Sequence, residues 1–289
     1  MKQTRAEKRF GYFNTTFLIL LGLICLLPYI NLLAKSFSSE AHVMAGDILF
    51  WPKGFNVDAY KGLLTIPVFK TAFKNSLIVT VLATVVHTFF TIAIGYMTSK
   101  EHIPGSRTIM RMYVFTMLFG GGTIPTYMVI KACGLMNNLL VMVLPGMVGA
   151  FNMIMARNYF YTIPDSLEES AKLDGASNLT VFFRIMLPMA IPSVATITIF
   201  IAVGVWNNYL GPKMYLTKNE VKTLSIYLKQ IVDASNLSNT AEGAEMLDKV
   251  AAASFRAAAI FISTVPILCV YPFLQKYFIV GMTMGAVKQ

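Results

Sequence analysis

The sequence predicts an all-α membrane protein with six transmembrane helices. Of its 289 residues, 56% are hydrophobic and 13% are charged, whereas soluble domains average roughly 45–50% and about 25%. The apolar residues also gather in six runs that contain no Asp, Glu, Lys or Arg. These runs are residues 13–34, 76–98, 112–130, 135–156, 189–210 and 257–274. Each run can cross a bilayer, because a helix of about 20 residues covers roughly 30 Å of hydrocarbon.

The six runs also predict a topology. An even number of spans places both termini on one side of the membrane, and the cluster of Lys2, Arg5, Lys8 and Arg9 indicates that this side is the cytoplasm. The predicted parts are a cytoplasmic tail (1–12), the first transmembrane helix (13–34), an external loop (35–75), a membrane domain (72–276) with a long cytoplasmic loop (163–188), and a cytoplasmic tail (277–289). A cleaved secretory signal is the alternative for the N-terminus, but the run 13–34 lacks a small-residue cleavage pattern at its end.

Several classes of protein are disfavoured by composition. The net charge of +10 is distributed between the apolar runs and not gathered in one patch, so we expect no nucleic acid partner. Cys25, Cys133 and Cys269 are far apart and match neither a metal site nor a disulfide framework. We therefore predict no bound metal and no catalytic residues.

The loop at 163–188 has the local chemistry of a helix, a turn and a second helix. Ser166 and Glu169 have the spacing of a capping box, so the first helix is predicted to begin near Ser166. Asp174 and Gly175 then supply a residue that tolerates positive φ and ends the helix. Pro188 is predicted to end the apolar segment that follows.

The same loop resembles the EAA motif of ABC importer permeases, in which E-A-A is followed at fixed spacings by G, I and L-P. The matching residues are Glu169, Ser170, Ala171, Gly175, Ile185, Leu187 and Pro188. The one departure is Ser170, where the family usually has Ala. The segments WPKGFNVDAYKGLL, KNSLIV, GGGTIPTYMVIKACGLMNN and WNNYLGP extend the resemblance over most of the chain, toward oligosaccharide permeases similar to the smaller permease of maltose importers.

This resemblance implies a type I ABC importer permease fold with a cytoplasmic coupling helix between spans four and five. It implies a second homologous permease, two ATPase subunits, an external solute-binding protein, a carbohydrate cargo and a bacterial cell membrane. The chain has no G-x-x-x-x-G-K-[ST] sequence, so ATP and Mg²⁺ are expected on the ATPase and no cofactor on this chain. The residues expected to contact the ATPase are Glu168, Glu169, Ser170, Ala171, Asp174 and Gly175. A solvated amphipathic loop is the alternative interpretation.

Candidate pathway residues combine amide and aromatic groups. Trp206, Asn207, Asn208 and Tyr209 follow one another near the end of the fifth run, and such groups stack on sugar rings and bond hydroxyls. An interfacial Trp/Tyr belt with solvated amides is the alternative. Asn152 and Tyr127 are further candidates.

Other patterns suggest a moving part or simple packing. Gly120, Gly121, Gly122 and Pro125 predict a kinked or broken third helix, either a flexible gate or a close helix contact. His87 lies beside a stripe of small residues in the second run, and a hydrogen bond to a neighbouring helix is its expected role.

Three competing functions are an ion-coupled secondary transporter, a channel and an intramembrane enzyme. The first usually needs an acid within the membrane, and none of the 14 Asp and Glu residues falls in an apolar run. A channel needs a selectivity filter or ring-forming charge, and the sequence offers neither. An intramembrane enzyme is disfavoured because no H-E-x-x-H sequence is present.

Overall fold

A computed structural model of the chain describes residues 4–100, 102–234 and 253–286. Within these residues the protein is helical and shows no strand, which confirms the predicted all-α class. Short 3₁₀ turns occupy Leu139–Met142 and Asn219–Val221, and a π-helical turn occupies Phe182–Met186. The α-helices are α1 (Arg5–Ser36), α2 (Glu40–Ala45), α3 (Asp58–Thr65), α4 (Pro67–Ser99), α5 (Ser106–Leu118), α6 (Thr123–Ala132), α7 (Ala150–Phe160), α8 (Asp165–Leu173), α9 (Asn178–Val181), α10 (Leu187–Met189), α11 (Ile191–Trp206), α12 (Leu210–Tyr215), α13 (Leu224–Ala234) and α14 (Ala253–Ala286).

Three helices in the described residues are long and apolar enough to cross a membrane. They are Glu7–Ser36, Pro67–Ser99 and Ala253–Val270. Two bent pairs also meet the criteria of length and hydropathy if each pair counts as one span. The α5–α6 pair bends by 119°, and the pair of Asn178–Met189 with Ile191–Trp206 bends by 80°.

The predicted fourth span, 135–156, is not a continuous helix. A 3₁₀ turn ends at Met142, and α7 begins only at Ala150. Pro145 lies between them, and Gly146 has a φ of 70°, a value that right-handed helices exclude. The run contains no charged residue that would mark the break, so hydropathy predicted one continuous span.

Several predicted boundaries differ from the helices. Helix α1 exceeds 13–34 at both ends. Its earlier start is explained by the capping box that Thr4 and Glu7 form there. The predicted external loop 35–75 contains α2, α3 and the first residues of α4. The predicted tail 277–289 is helical to residue 286, while its last three residues and the first three of the chain lie outside the described residues.

The chain divides into two compact units. One consists of residues 1–70 and 227–266, and the other of residues 71–226 and 267–289. In the first unit, Ala34, Val43 and Ile48 form a small buried cluster. The second unit contains the candidate site, and its main buried cluster joins α4, α7, α9, α10, α11 and the π-helical turn. The fully or nearly buried members of this cluster are Ile92, Ala156, Phe160, Val181, Met186, Ala190 and Ile197.

Candidate functional site

Helix α8 occupies the part of the loop that resembles the EAA motif. It begins at Asp165 and ends at Leu173, and Pro164 is its N-cap. The predicted capping box is wrong, because the N-cap makes no side-chain hydrogen bond and Ser166 already lies in the first turn. Gly175 has a φ of 84° and turns the chain away from the helix.

A buried lysine at the end of α4 anchors α8. The Nζ of Lys100 lies 2.6 Å from Oε2 of Glu168 and 2.8 Å from Oδ1 of Asp165. The side chains of Lys100 and Glu168 are only 5% and 7% exposed. The ammonium of Lys172, which is 40% exposed, lies 2.9 Å from Oε1 of Glu168. Two lysines thus neutralise one buried carboxylate and fix one face of α8 on the rest of the protein.

The electrostatics of this cluster favour the charged forms of both partners. Burial alone would raise the pKa of the Glu168 carboxyl, but the hydrogen bonds and charges of Lys100 and Lys172 outweigh it and hold the pKa below its usual 4.5. Burial alone would lower the pKa of Lys100, but Asp165 and Glu168 outweigh it and raise the pKa above its usual 10.5. The ion pair is therefore fully charged throughout the neutral range.

The predicted coupling residues divide between the two sides of α8. Glu169, Ser170, Asp174 and Gly175 are exposed, and Leu173 beside them is 89% exposed. Two members of the predicted set face inward instead. The carboxylate of Glu168 is buried against Lys100, and Ala171 packs on the main buried cluster.

The segment after α8 remains helical past Pro188, contrary to prediction. The π-helical turn at Phe182–Met186 precedes this proline, and Pro188 lies near the N-terminus of α10, where a missing N–H costs little. The bend occurs at Ala190 instead, just before α11. The loop is therefore joined to α11 by a short, bent helical connection.

A cavity of about 390 Å³ lies in the same unit. Among the residues that the structure describes, the polar lining consists of neutral hydroxyl and amide groups and one imidazole, with no Lys, Arg, Asp or Glu. Members that carry such groups are His87, Thr91, Thr126, Asn152, Asn208 and Tyr215. The rest of the wall is mainly apolar, a combination that suits a ligand with both hydroxyl groups and hydrophobic ring faces.

The structure brings together only some of the predicted pathway residues. Asn152 and Asn208 line the cavity, whereas Tyr127 contacts the lining residue Tyr215, with the two ring centroids 6.2 Å apart. Trp206 does not line the cavity and meets Phe73 edge to face instead.

Asn207 and Tyr209 also lie apart from this cavity. Asn207 is exposed just beyond the end of α11, and the Tyr209 ring lies 5.4 Å from the ammonium of Lys213. Their adjacency in the chain predicted one group of four residues, but α11 ends at Trp206, and of the four only Asn208 lines the cavity.

The triple glycine lies at a break between two helices. Helix α5 ends at Leu118 and α6 begins at Thr123, with Gly122 at a φ of 83°. Pro125 lies within the first turn of α6, where its missing donor breaks no helical hydrogen bond. The role of this segment as a gate stays a prediction.

The sequence interpretation missed the importance of Lys100, Tyr215 and Asn137. Lys100 is the first charged residue after the second apolar run, but this position does not reveal its partner. The side-chain oxygen of Asn137 accepts hydrogen bonds from the backbone N–H groups of Thr217 and Lys218 at 2.7 and 3.0 Å and fixes the chain just after Tyr215. His87 donates from Nε2 to the Val143 carbonyl at 2.7 Å, so its partner lies in the segment between the 3₁₀ turn and α7 and not in a helix as predicted. Within the described residues, no cluster of three or more His, Cys, Asp or Glu could hold a metal ion.

The helical membrane fold, with its anchored helix α8 and its mainly apolar cavity that carries a few neutral polar groups, is that of a transport permease. Residues 48–284 match the family described as binding-protein-dependent transport system inner membrane component, and the chain belongs to this family. Its members are permeases and not catalytic subunits.

Similar proteins agree with this assignment. The chain is 39% identical over 289 residues to Protein LplC of Bacillus subtilis, with 100% of this chain and 98% of the relative covered. It is 37% identical over 277 residues to the polygalacturonan/rhamnogalacturonan transport system permease protein YtcP of the same species, with 94% of this chain and 96% of the relative covered.

A crystal structure of a bacterial ABC transporter involved in the import of the acidic polysaccharide alginate contains a similar chain. The TM-score is 0.85 at 32% identity, with 96% of this chain and 99% of that chain covered. The predicted type I ABC importer permease fold is confirmed.

Proposed function

We propose that this permease forms half of the translocation pathway for an oligosaccharide and couples it to a separate ATPase through α8. The observation that carries the proposal is the arrangement of α8, which is held on one side by Lys100 and exposed on the other. Glu169, Ser170 and Leu173 on the exposed side provide a surface for another subunit, while the buried ion pair transmits force to α4.

The connection from α8 to the cavity is short. Lys100 directly follows α4, and the same helix contributes His87 and Thr91 to the cavity. Because a continuous helix moves nearly as a rigid body, a displacement of α8 reaches the cavity wall through α4. This is the physical basis for coupling between ATP hydrolysis and opening of the pathway.

A carbohydrate cargo is supported by the relatives and by the cavity. Similar proteins include a polygalacturonan/rhamnogalacturonan transport permease and a chain of an ABC transporter involved in alginate import. Amide and hydroxyl groups beside apolar surface are the groups that recognise sugars. The described residues of the cavity lining include no ammonium or guanidinium group, so any carboxylates on the cargo would need their counter-charges elsewhere in the assembly.

The proposed assembly contains a second permease, two ATPase subunits and an external solute-binding protein. ATP and Mg²⁺ belong on the ATPase subunits, and both termini of this chain lie in the cytoplasm of a bacterial cell. The family description names binding-protein dependence and an inner membrane component, which supports the solute-binding protein and the membrane location in this proposal.

The test of the cargo pathway uses uptake by the reconstituted importer. Replacing Asn152→Leu removes an amide from the cavity wall at similar volume, and we expect it to raise the KM for oligosaccharide uptake while basal ATP hydrolysis is unchanged. Asn158→Leu is the matched control, because Asn158 lies on the same helix α7 but is exposed outside the cavity lining. An unchanged KM for Asn152→Leu would contradict the proposed pathway.

A further inference from the structure

The segment 47–53, which we call the tongue, is an apolar loop closed by an ion pair. Asp47 and Lys53 are at its two ends, and their carboxylate and ammonium groups lie 3.1 Å apart. The five residues between them carry no charge, and their sequence is Ile-Leu-Phe-Trp-Pro. Ile48 is buried, whereas Leu49 and Trp51 are 69% and 82% exposed and Phe50 is 45% exposed. The tongue thus presents three large apolar side chains outside the protein.

Hydrogen bonds hold the tongue beside α1. The side-chain amide of Asn31 donates to the carbonyls of Ile48 and Leu49 at 3.0 and 2.7 Å. At the base, the N–H of Lys53 donates to Ser38 Oγ at 3.0 Å. The tongue is therefore fixed at both its tip and its base.

Asn31 also sets the depth of the tongue. It lies five residues before the end of α1, or about 7 Å along the helix axis, and inside the apolar run that ends at Ala34. The neighbouring side chains of α1, such as Leu27 and Ile30, are exposed as expected for a surface that contacts lipid. The tip of the tongue therefore lies beside the C-terminal end of the apolar run of α1.

Two further features suit this depth. Backbone carbonyls that enter lipid need internal donors, and Asn31 supplies them at Ile48 and Leu49. Tryptophan is the side chain most typical of the boundary between hydrocarbon and headgroups, because it has a large apolar ring and one N–H group. The charges of Asp47 and Lys53 neutralise each other at the base.

From these observations we propose that the tongue inserts Leu49, Phe50 and Trp51 into the lipid interface at the end of α1 and fixes that helix in the membrane. The partner is the phospholipid itself, because the tip carries three exposed apolar side chains and is bonded to Asn31, which lies within the apolar run of α1. This inference does not depend on the cargo or on coupling to an ATPase.

The test is site-specific photo-crosslinking in membranes of cells that express the full chain with its partner subunits. Trp51→benzoylphenylalanine is irradiated after the phospholipids have been labelled with an alkyne fatty acid. Phe17→benzoylphenylalanine on α1 is the lipid-facing control, and Lys61→benzoylphenylalanine on α3, whose side chain is 74% exposed, is the control for an exposed position off the tongue. We expect the lipid adduct at position 51 to approach that at position 17 and to exceed that at position 61 several-fold.

Two outcomes would overturn the inference. One is a lipid adduct at position 51 no stronger than at position 61, and the other is crosslinking from position 51 mainly to a solute-binding protein or a second permease. Adding Asn31→Leu tests the anchor separately, with an expected several-fold loss of the lipid adduct at position 51 and no change at position 17. An unchanged adduct at position 51 would show that Asn31 does not set the depth.

Discussion

At the scale of single residues, the side chain whose removal has the largest expected effect on stability is that of Lys100. Removing one partner of a buried ion pair costs roughly 3–5 kcal/mol, because the other charge stays buried. Lys172 still neutralises part of the Glu168 charge, so we expect Lys100→Met to lower the free energy of unfolding by about 3 kcal/mol, at the low end of that range. Thermal unfolding of the purified protein in detergent measures the loss.

The matched control for Lys100 is Lys172. Its side chain is 40% exposed and pairs with the same carboxylate, and an exposed pair contributes about 0.5 kcal/mol. Lys172→Met should therefore shift the unfolding temperature much less than Lys100→Met. Equal shifts for the two variants would contradict the anchoring role of Lys100.

Gly175 carries a second prediction, which concerns backbone conformation. A left-handed φ costs an ordinary residue about 1 kcal/mol or more, and nothing in the structure lies near a Cβ added there. We expect Gly175→Val to destabilise the turn after α8 by at least about 1 kcal/mol, and Gly175→Asn, which tolerates this φ, to cost less. Unfolding midpoints of the two variants give the comparison, and equal midpoints would contradict the conformational explanation.

At the scale of elements, the close approach of α4 and α7 depends on Gly95. A Cβ at this position would lie 2.6 Å from the Cβ of Ala156, closer than real atoms approach. Gly95→Ala should therefore force the helices apart at a cost of about 1–3 kcal/mol. Combining it with Ala156→Gly should restore part of the stability.

The control for Gly95 is Gly22→Ala. Gly22 lies inside α1 with no atom near an added Cβ, so alanine should leave stability unchanged or raise it slightly. Unfolding midpoints of the three variants in detergent test the packing. A Gly95→Ala midpoint equal to that of Gly22→Ala would show that α4 and α7 separate without cost.

The docking of α8 should also depend on pH. Because the folded pKa of Glu168 is lowered below 4.5, its contribution is fully present above that pH and is lost as the pH falls through the folded pKa. The raised pKa of Lys100 acts at the other extreme, where its contribution is lost only as the pH rises above 10.5. We expect the stability difference between the wild type and Glu168→Gln to be constant near neutral pH and to vanish under acid conditions. A difference that persists at pH values well below 4.5 would contradict this account.

At the scale of the whole molecule, the sequence predicts the helical membrane class because charge-free runs are visible without tertiary information. It also predicts the position of α8, since the EAA spacing is local. It does not predict the break at Pro145 and Gly146, because a hydropathy run is insensitive to backbone φ. Hydropathy and a family motif therefore locate the elements but not their breaks.

The site was less predictable than the fold. The inward direction of Glu168 depends on Lys100, a residue 68 positions earlier in the chain. Asn152 and Asn208 meet in one cavity only after α7 and α11 have packed, whereas Asn207, adjacent to Asn208, does not reach it. Long-range packing decides which polar groups share a site, and no local pattern contains that information.

The most direct test of the central claim is ATP-dependent oligosaccharide uptake into proteoliposomes that contain both permeases, the ATPase subunits and the solute-binding protein. Glu169→Arg reverses the charge on the exposed side of α8, and Asp58→Arg makes the same change on the exposed surface of α3. The account predicts that Glu169→Arg abolishes both uptake and binding-protein-stimulated ATP hydrolysis, while Asp58→Arg retains both. Uptake by the wild type without any ATPase, or an unchanged rate for Glu169→Arg, would contradict it.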